Sequence, residues 1–235
     1  MAINLVIEFN IIISMKKIIS FSLWGSSPKY INGIRANIDL QKQYFKGWKC
    51  RFYIHEGSLT DDISQLIIDN DAEYIIISED ISTESQYKTN QVHKGWFWRF
   101  KVLEDPSIDY AIVRDLDSRL SLRESNCVRD WIASGKEFHI IRDHVMHGVP
   151  ICAGMWGVTG SFIRRINYTE LIGQFIKPHD TRFGGYDQYF LGDQIYPLVK
   201  NTVCIHDDWD RFREGSRKIP HIRNGNEFIG KSFEL

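Results

Sequence analysis

The sequence lacks an excess of charge of either sign. It carries 29 Lys and Arg residues against 30 Asp and Glu residues, which gives a formal net charge of −1 at pH 7. Proteins that bind nucleic acid or an anionic membrane through their overall charge have a clear excess of basic residues. We therefore expect no nucleic-acid partner, and any binding of anions must come from local clusters of basic side chains.

Cysteine is scarce, and its spacing is not that of a cross-linked or zinc-rich protein. The four cysteines are Cys50, Cys127, Cys152 and Cys204, and none of them forms a C-x-x-C pair. This spacing argues against a disulfide framework and against the common zinc motifs. A reducing compartment, the cytoplasm, is the expected location.

The sequence has no apolar run long enough to cross a membrane. Residues 1–14, MAINLVIEFNIIIS, are apolar but short, contain Glu8, and have no basic leader before the apolar part. Met15, followed by two lysines, looks like a natural start. We predict that residues 1–14 are an N-terminal extension and that residues 15–235 form a single domain.

Short apolar runs alternate with segments of helical spacing. Runs that predict strands begin near Lys17, Cys50, Ala72 and Tyr110. This alternation implies an α/β fold with a mostly parallel central sheet flanked by helices. The rhythm changes after residue 124, where shorter strands predict a small second sheet in the C-terminal half.

The clearest candidate site follows the fourth predicted strand, where the apolar run 110–113 stops at Arg114, Asp115 and Asp117. Ligands of open parallel sheets bind outside the carboxyl ends of the strands. Carboxylate oxygens suit Mg²⁺ or Mn²⁺, which keep phosphate or water oxygens as other ligands. The D-x-D pattern therefore predicts a metal–diphosphate site, with a solvated strand end as the alternative. His206, at the end of a late strand, could complete the coordination or simply cap its strand.

Several other segments offer polar side chains, or glycines that allow a close approach to a ligand. The candidate substrate-binding residues are Trp24, Gly25, Ser26, Arg99, Lys101, Asp115, Arg119, His139, Arg142, Asp143, His144, Gly154, Met155, Trp156, Gln188 and Arg223. Arg211 is a further candidate for phosphate. Each could instead be an ordinary core or surface residue. His144 and His147 resemble metal spacing but lack a third zinc ligand. Asp187 is either a helix N-cap or a carboxylate directed at a reacting sugar.

With these residues in view, the chain resembles the nucleotide-sugar-dependent glycosyltransferases of the GT-A (Rossmann-like) fold. The order of motifs matches: WGSSPKY, a helix with Arg99 and Lys101, a strand ending in D-x-D, a glycine-containing strand, an acidic-Gln segment and a late histidine. The segments VRDLDSRLSLRE, WIASGKEFHIIRDH and GMWG resemble uncharacterised glycosyltransferase-like proteins of bacteria and large viruses. The resemblance covers roughly residues 17–231. It implies a nucleotide-binding half, residues 15–124, and an acceptor-side half, residues 125–235.

The resemblance also implies roles for individual residues. Asp115 and Asp117 would hold Mn²⁺ or Mg²⁺, which bridges the diphosphate of a nucleotide-sugar donor, and the acceptor would be a hydroxyl of a glycan, protein or small molecule. YDQYFL with IHDD is similar to the DQ segment and late metal histidine of glycogenin-like retaining enzymes, which makes His206 the third expected ligand. Asp187 and Arg114 are the expected catalytic residues. No H-x-x-G-x-x-K motif follows His206, so the sequence leaves retention or inversion open.

Two other functions compete with sugar transfer. D-x-D also occurs in haloacid-dehalogenase-like phosphatases, but there it follows the first strand, and a threonine commonly stands where this chain has Arg119. A non-catalytic carbohydrate- or nucleotide-binding protein is the second alternative. The intact pair of aspartates and His206 argue against a degenerate site.

Overall fold

The computed structural model describes residues 15–78, 82–83, 92–93, 95–175, 185–209 and 215–233. The predicted N-terminal extension, residues 1–14, lies outside the described residues, as does Arg211. Within the described part of the chain, no helix is both long and apolar enough to cross a membrane.

A seven-stranded sheet forms the centre of the fold, with strand order β3-β2-β1-β6-β8-β7-β9. The strands are β1 (Lys17–Leu23), β2 (Lys49–His55), β3 (Glu73–Ile77), β4 (Ser82–Thr83), β5 (Val92–His93), β6 (Tyr110–Arg114), β7 (Phe138–Arg142), β8 (Met155–Thr159) and β9 (Val203–Asp207). Within this sheet only β8 runs antiparallel to its neighbours, so the sheet is mostly parallel.

The helices lie between the strands, and several of their ends have a local chemical cause. They are α1 (Pro28–Tyr44), α2 (Asp61–Asp69), α3 (Gly95–Trp98), α4 (Leu122–Ser134), α5 (Gly160–Arg165), α6 (Tyr168–Phe175), α7 (Tyr186–Phe190) and α8 (Tyr196–Val199). A 3-10 turn, Arg99–Glu104, continues α3, and a π-helical turn, Leu191–Ile195, joins α7 to α8. The hydroxyls of Thr60 and Ser121 accept from backbone N–H groups at the starts of α2 and α4. Gly135 ends α4 at φ 66°, a conformation that glycine adopts without strain.

The predicted α/β fold is confirmed, but the predicted second sheet in the C-terminal half is wrong. The three C-terminal strands extend the central sheet, because β8 pairs with β6 on one side and with β7 on the other. All of β7 and most of β8 are buried, which requires cover on both faces. In the described part of the chain, the one additional sheet is the pair β4–β5, in the N-terminal half.

The sheet separates two large hydrophobic clusters, and the polar residues begin where the buried strands end. One cluster contains Trp98, Phe100, Trp156 and Phe190, and the other is built around α1 and includes Phe21. Strands β1 and β6 are parallel neighbours, so their carboxyl ends lie at the same edge of the sheet. The segments after Leu23 and after Arg114 therefore start side by side.

Candidate active site

Helix α1 shapes the turn that carries the two D-x-D aspartates. Leu116, between them, is buried. The Asn37 amide donates to the carbonyl of Ser118 at 3.0 Å, and its oxygen accepts from the N–H of Leu120 at 3.1 Å. A Cβ at Gly33 would lie 2.0 Å from the Leu116 carbonyl oxygen. The helix thus approaches the turn so closely that only glycine fits, and this contact fixes the backbone of both aspartates.

Asp115 is the more open of the two carboxylates. Its side chain is 42% exposed, and Oδ1 lies 3.2 Å from Nη2 of Arg99. A Cβ at Gly154, which directly precedes β8, would lie 2.0 Å from the other oxygen, Oδ2. The missing side chain at Gly154 therefore leaves the space that the Asp115 carboxylate occupies.

Arg99 joins Asp115 to a second carboxylate, Asp187. The same Nη2 atom lies 2.8 Å from Asp187 Oδ2, and both side chains of this pair are buried. The backbone N–H of Gln188 donates to Asp187 Oδ1 at 3.0 Å. Burial raises the pKa of Asp187 despite the opposing effect of Arg99. The N-cap of α7 is Gly185, so Asp187 does not cap the helix and its carboxylate is directed at Arg99.

Asp117 lies under the last described segment of the chain. Its Oδ2 is 2.7 Å from Nζ of Lys29 and accepts from the hydroxyl of Ser232 at 3.0 Å. The N–H of Phe233 donates to the Asp117 carbonyl at 2.9 Å, and Ser118 pairs with Ser232 in a β-bridge. We call residues 228–233 the strap, because they lie across the D-x-D turn. The strap leaves the Asp117 side chain only 15% exposed.

An aromatic wall stands where β1 ends. The Trp24 ring meets Trp98 edge-on, with centroids 6.1 Å apart. A Cβ at Gly95 would lie 2.6 Å from the Trp24 ring, so this ring also depends on a glycine for its position. Gly25, at φ 73°, and Ser26 follow in the exposed loop. The Trp24 ring also stacks on Tyr30, with centroids 6.5 Å apart, so aromatic side chains line this edge of the sheet.

The structure does not bring His206 to the aspartates. Its Nε2 lies 3.0 Å from Asp130 Oδ2 and its Nδ1 lies 2.9 Å from Nε2 of His139. Side chains alternate across a strand, and in β9 residue 206 faces α4. Among the described residues, the ligand atoms of Asp115, Asp117 and His206 do not fall within 4.8 Å of one another. The expected three-residue metal set is therefore not assembled.

Arg114 is buried beneath the site and does not open onto it. It is 1% exposed, forms an ion pair with Glu124, and donates from Nη1 to the carbonyls of Val113 (2.7 Å) and Trp156 (2.8 Å). With the guanidinium held inward, the expected catalytic contact with substrate does not fit this geometry. Its contacts join α4, through Glu124, and β8, through Trp156, to the strand that carries Asp115.

A buried ion-pair network anchors the strap. The Asp143 carboxylate accepts from Arg123 at 2.9 and 3.0 Å, from Arg223 at 2.7 Å and from the N–H of Ile229 at 2.9 Å. Burial alone would raise the pKa of Asp143, but these donors outweigh it and lower the pKa. Asp143 and Arg223 therefore hold the strap to α4 and to the segment after β7.

Three of the seven remaining candidates contact the strap, and the other four lie elsewhere. The seven are Lys101, Arg119, His139, Arg142, His144, Met155 and Trp156. His144 stacks on Phe228 at 4.1 Å, and the Arg119 guanidinium lies over Phe233 at 5.2 Å, so both contact the strap. Met155 also meets the strap, because a Cβ at Gly230 would lie 2.5 Å from its sulfur.

The others lie away from the carboxylates. Arg142 pairs with Asp207 at 2.8 Å, and Lys101 lies 3.8 Å from Glu104. His139 and Trp156 are fully buried. These four residues are placed in the fold's interior or along its flank.

Lys29, Asn37 and Ser232 are among the residues of the site that were not predicted from the sequence. Lys29 lies in WGSSPKY, a segment already singled out, and a lysine at the start of the helix after the first strand was a usable signal. Asn37 offered a weaker one, as a polar residue on the apolar face of α1 beside Ile34 and Ile38. Nothing in the local sequence pointed to Ser232.

Comparison with known proteins supports the fold. No family model and no curated protein matches the chain. The galactosyltransferase LgtC, solved with donor and acceptor sugar analogues, superposes with a TM-score of 0.54 at 12% identity, covering 81% of this chain and 73% of LgtC. The glycosyltransferase GlyE of Streptococcus pneumoniae TIGR4 gives 0.51 at 16% identity, covering 85% of this chain and 47% of GlyE. The chain thus spans about half the length of GlyE.

A cytidylyltransferase of Leptospira borgpetersenii superposes less well, with a TM-score of 0.49 at 10% identity over 83% of this chain and 76% of that protein. That value is too low to favour nucleotidyl transfer. At these identities the likeness establishes the fold and no more: the chain has the GT-A-like fold of glycosyltransferases, as the motif order predicted.

Proposed function

We propose that the protein is a glycosyltransferase that moves a sugar from a nucleotide-diphosphate donor to a hydroxyl of a glycan, protein or small acceptor. The observation that carries the proposal is the buried Arg99, which bridges Asp115 and Asp187 at the carboxyl edge of a GT-A-like sheet. Carboxylates and a fixed guanidinium at this edge suit a ligand with both hydroxyls and phosphates.

The donor would lie along residues 15–124, with the acceptor side formed by residues 125–235. Trp24 offers its ring face to a nucleotide base, while Lys29 and Arg99 offer positive charge to the diphosphate. Asp115 and Asp117 would hold Mn²⁺ or Mg²⁺, because carboxylate oxygens are the ligand atoms that these ions prefer. His206 would not be a ligand of this ion. Such an ion, when bound, supplies positive charge that stabilises the leaving diphosphate.

Asp187 is the residue suited to act at the sugar itself. Glycosyl transfer passes through a state in which the anomeric centre carries positive charge. A buried carboxylate fixed by Arg99 and by the N–H of Gln188 is held ready to accept hydrogen bonds from sugar hydroxyls and to stabilise that charge. Arg114 contributes indirectly, by holding the strand from which Asp115 projects.

Nucleotide binding tests the donor site. Calorimetry with nucleoside diphosphates, with and without Mn²⁺, should show metal-dependent binding that Asp117→Asn weakens at least ~10-fold, because one carboxylate holds the ion poorly. Asp39→Asn, an exposed carboxylate on α1, is the matched control and should bind as the parent does. Unchanged affinity and unchanged metal dependence in Asp117→Asn would refute the donor site.

Turnover separates the proposal from its rivals. Asp187→Asn should lower sugar transfer, or slow donor hydrolysis without acceptor, by ~10²-fold or more while donor binding is kept. Hydrolysis of simple phosphate esters would identify a phosphohydrolase instead. Metal-dependent nucleotide binding with no turnover of any nucleotide sugar would identify a binding protein.

A further inference from the structure

A second group of metal-ligand atoms lies away from the D-x-D turn. Cys204 and His206 stand two residues apart on β9 and share the face that meets α4, where Asp130 lies. The cysteine sulfur, a histidine nitrogen and a carboxylate oxygen of these three residues all lie within 4.8 Å of one another. The wide spacing of the cysteines in the sequence argued against zinc, but the fold places Cys204 beside ligands from distant segments.

The chemistry of this group is that of a zinc-type site. Thiolate sulfur, imidazole nitrogen and carboxylate oxygen are the three ligand types that zinc takes from proteins, and sites with three protein ligands keep a fourth position for water. Cys204 and His206 are buried, whereas the Asp130 side chain is 40% exposed. The open position would therefore face solvent on the Asp130 side. One thiolate and one carboxylate would neutralise a divalent ion.

His206 already has the outer partner that a metal-bound histidine needs. A ligating imidazole usually donates its other N–H to a nearby acceptor, which fixes the ring and strengthens the ligand. Here Nδ1 of His206 lies 2.9 Å from Nε2 of His139, and the His139 ring is stacked flat on Trp131 at 5.2 Å. A neutral imidazole has one acceptor nitrogen, so Nε2 of His139 can accept that bond when the ring carries its proton on Nδ1.

Arg217 is the group that competes with an ion. Its Nη1 lies 2.7 Å from the Asp130 oxygen that also meets His206, but the side chain is 47% exposed. An exposed arginine gains little from such a pair and can turn into solvent when a divalent ion takes its place. When the ion binds, the Cys204 thiol gives up one proton to solvent. His206 loses the proton on Nε2 and takes the proton shared with Nε2 of His139 onto Nδ1, while His139 gains a proton on its own Nδ1, so the two rings together keep the same number of protons.

We propose that Asp130, Cys204 and His206 bind a zinc-type divalent cation, independently of any ion at Asp115 and Asp117. The ion would cross-link α4 to β9. It would use a thiolate, which distinguishes this site chemically from the all-oxygen D-x-D site.

Cobalt spectroscopy of the full chain tests the proposal, because a thiolate bound to Co²⁺ gives a charge-transfer band that oxygen ligands do not. The metal-stripped protein should take up one equivalent of Co²⁺ with this band, and Zn²⁺ should remove it. Cys204→Ser should abolish the band, whereas Cys50→Ser and Asp117→Asn should keep it. His139→Gln should weaken Co²⁺ affinity by about 10–100-fold, the usual effect of losing an outer partner.

Two results would overturn the proposal: a folded parent protein without a thiolate band, or a band that persists in Cys204→Ser. Loss of the band in Asp117→Asn would overturn the independence of the two sites. If Cys204→Ser does not fold, alkylation of the parent protein followed by peptide mass spectrometry replaces it. Zn²⁺ should slow the modification of Cys204 at least ~10-fold in that experiment, and an unchanged rate would contradict the proposal.

Discussion

Replacing Arg99 by methionine should lower the free energy of unfolding, because it leaves the buried Asp187 carboxylate without its ion-pair partner. The guanidinium lies 2.8 Å from Asp187 and 3.2 Å from Asp115, and it supplies the positive charge nearest to the Asp187 carboxylate. Methionine keeps the length of the apolar stem and removes the charge. In the folded variant, the buried Asp187 carboxylate either remains ionised without a partner or takes up a proton.

An ionised and a protonated Asp187 lower the stability of the variant by similar amounts. Removing one partner of a buried ion pair costs about 3–5 kcal/mol. Protonating a carboxyl whose unfolded pKa is about 3.9 costs roughly 1.4 kcal/mol per pH unit above that value, or about 4 kcal/mol near pH 7. We therefore expect Arg99→Met to lose about 3–4 kcal/mol of unfolding free energy, a large part of the ~5–15 kcal/mol typical of a domain.

The sign of the pH dependence follows from the same argument. Without Arg99 the folded-state pKa of Asp187 lies well above its unfolded value, so the folded protein binds the extra proton. Stability of the variant relative to the parent should therefore recover as the pH falls from near 7 towards 5, by up to ~1.4 kcal/mol per unit. Adding Asp187→Asn to Arg99→Met removes the charge itself and should restore most of the lost stability at neutral pH.

Urea unfolding of the parent, both single variants and the double variant at the two pH values measures these terms as a double-mutant cycle. A loss below ~1 kcal/mol in Arg99→Met would contradict the role of the ion pair, since removing one partner of a buried pair costs several kcal/mol. A loss that does not change with pH, or a double variant in which Asp187→Asn gives no rescue, would contradict it as well.

Two further predictions concern the glycine beside the site and the histidine beside the strap anchor. Gly154→Ala should weaken metal-dependent nucleotide binding and cost ~1–3 kcal/mol of stability, because its Cβ would lie 2.0 Å from Asp115 Oδ2. The control is Gly173→Ala, which should be slightly stabilising because a Cβ there would meet nothing within 4 Å. Calorimetry measures nucleotide binding and thermal unfolding measures stability in both variants. Nδ1 of His147 accepts from the N–H of Asp143 at 2.9 Å, and burial lowers the pKa of His147 to about 4. Since the unfolded chain binds this proton first, stability should fall as pH drops from about 6.5 towards 4, by less than ~1.4 kcal/mol per unit because the ring is partly exposed. His147→Asn should flatten that dependence in acid-unfolding curves, and a parent curve that is already flat would contradict the assignment.

The parts of the site that could be predicted depend on local order in the sequence. An apolar run that stops at Arg114 and Asp115 marks a buried strand reaching the polar edge of a sheet, and that inference needs no tertiary information. The parallel order of the early strands followed from the alternation of strands and helices in the same way. The C-terminal strands carry no local mark of their partner, which is why the separate second sheet was a wrong expectation.

The directions of side chains could not be predicted, because they depend on register and on distant partners. Alternation along β9 shows that residues 204 and 206 share a face, but only the packed sheet shows that this face meets α4. The Arg99–Asp187 pair joins segments 88 residues apart. Arg114 could not be identified as a buried residue from sequence, since an arginine at a strand end usually lies at the surface.

The strap has a consequence for the order in which the protein is made. Ser232 is translated after every strand of the central sheet, yet its bridge to Ser118 covers one of the two D-x-D carboxylates. On the ribosome the sheet and the D-x-D turn can form while Asp117 is still uncovered, since domains begin to fold as the chain emerges. The bridge then closes over a long intervening sequence, which is slow compared with local contacts. A nascent chain would therefore pass through a stage with an open acidic turn that divalent ions can reach before the strap arrives.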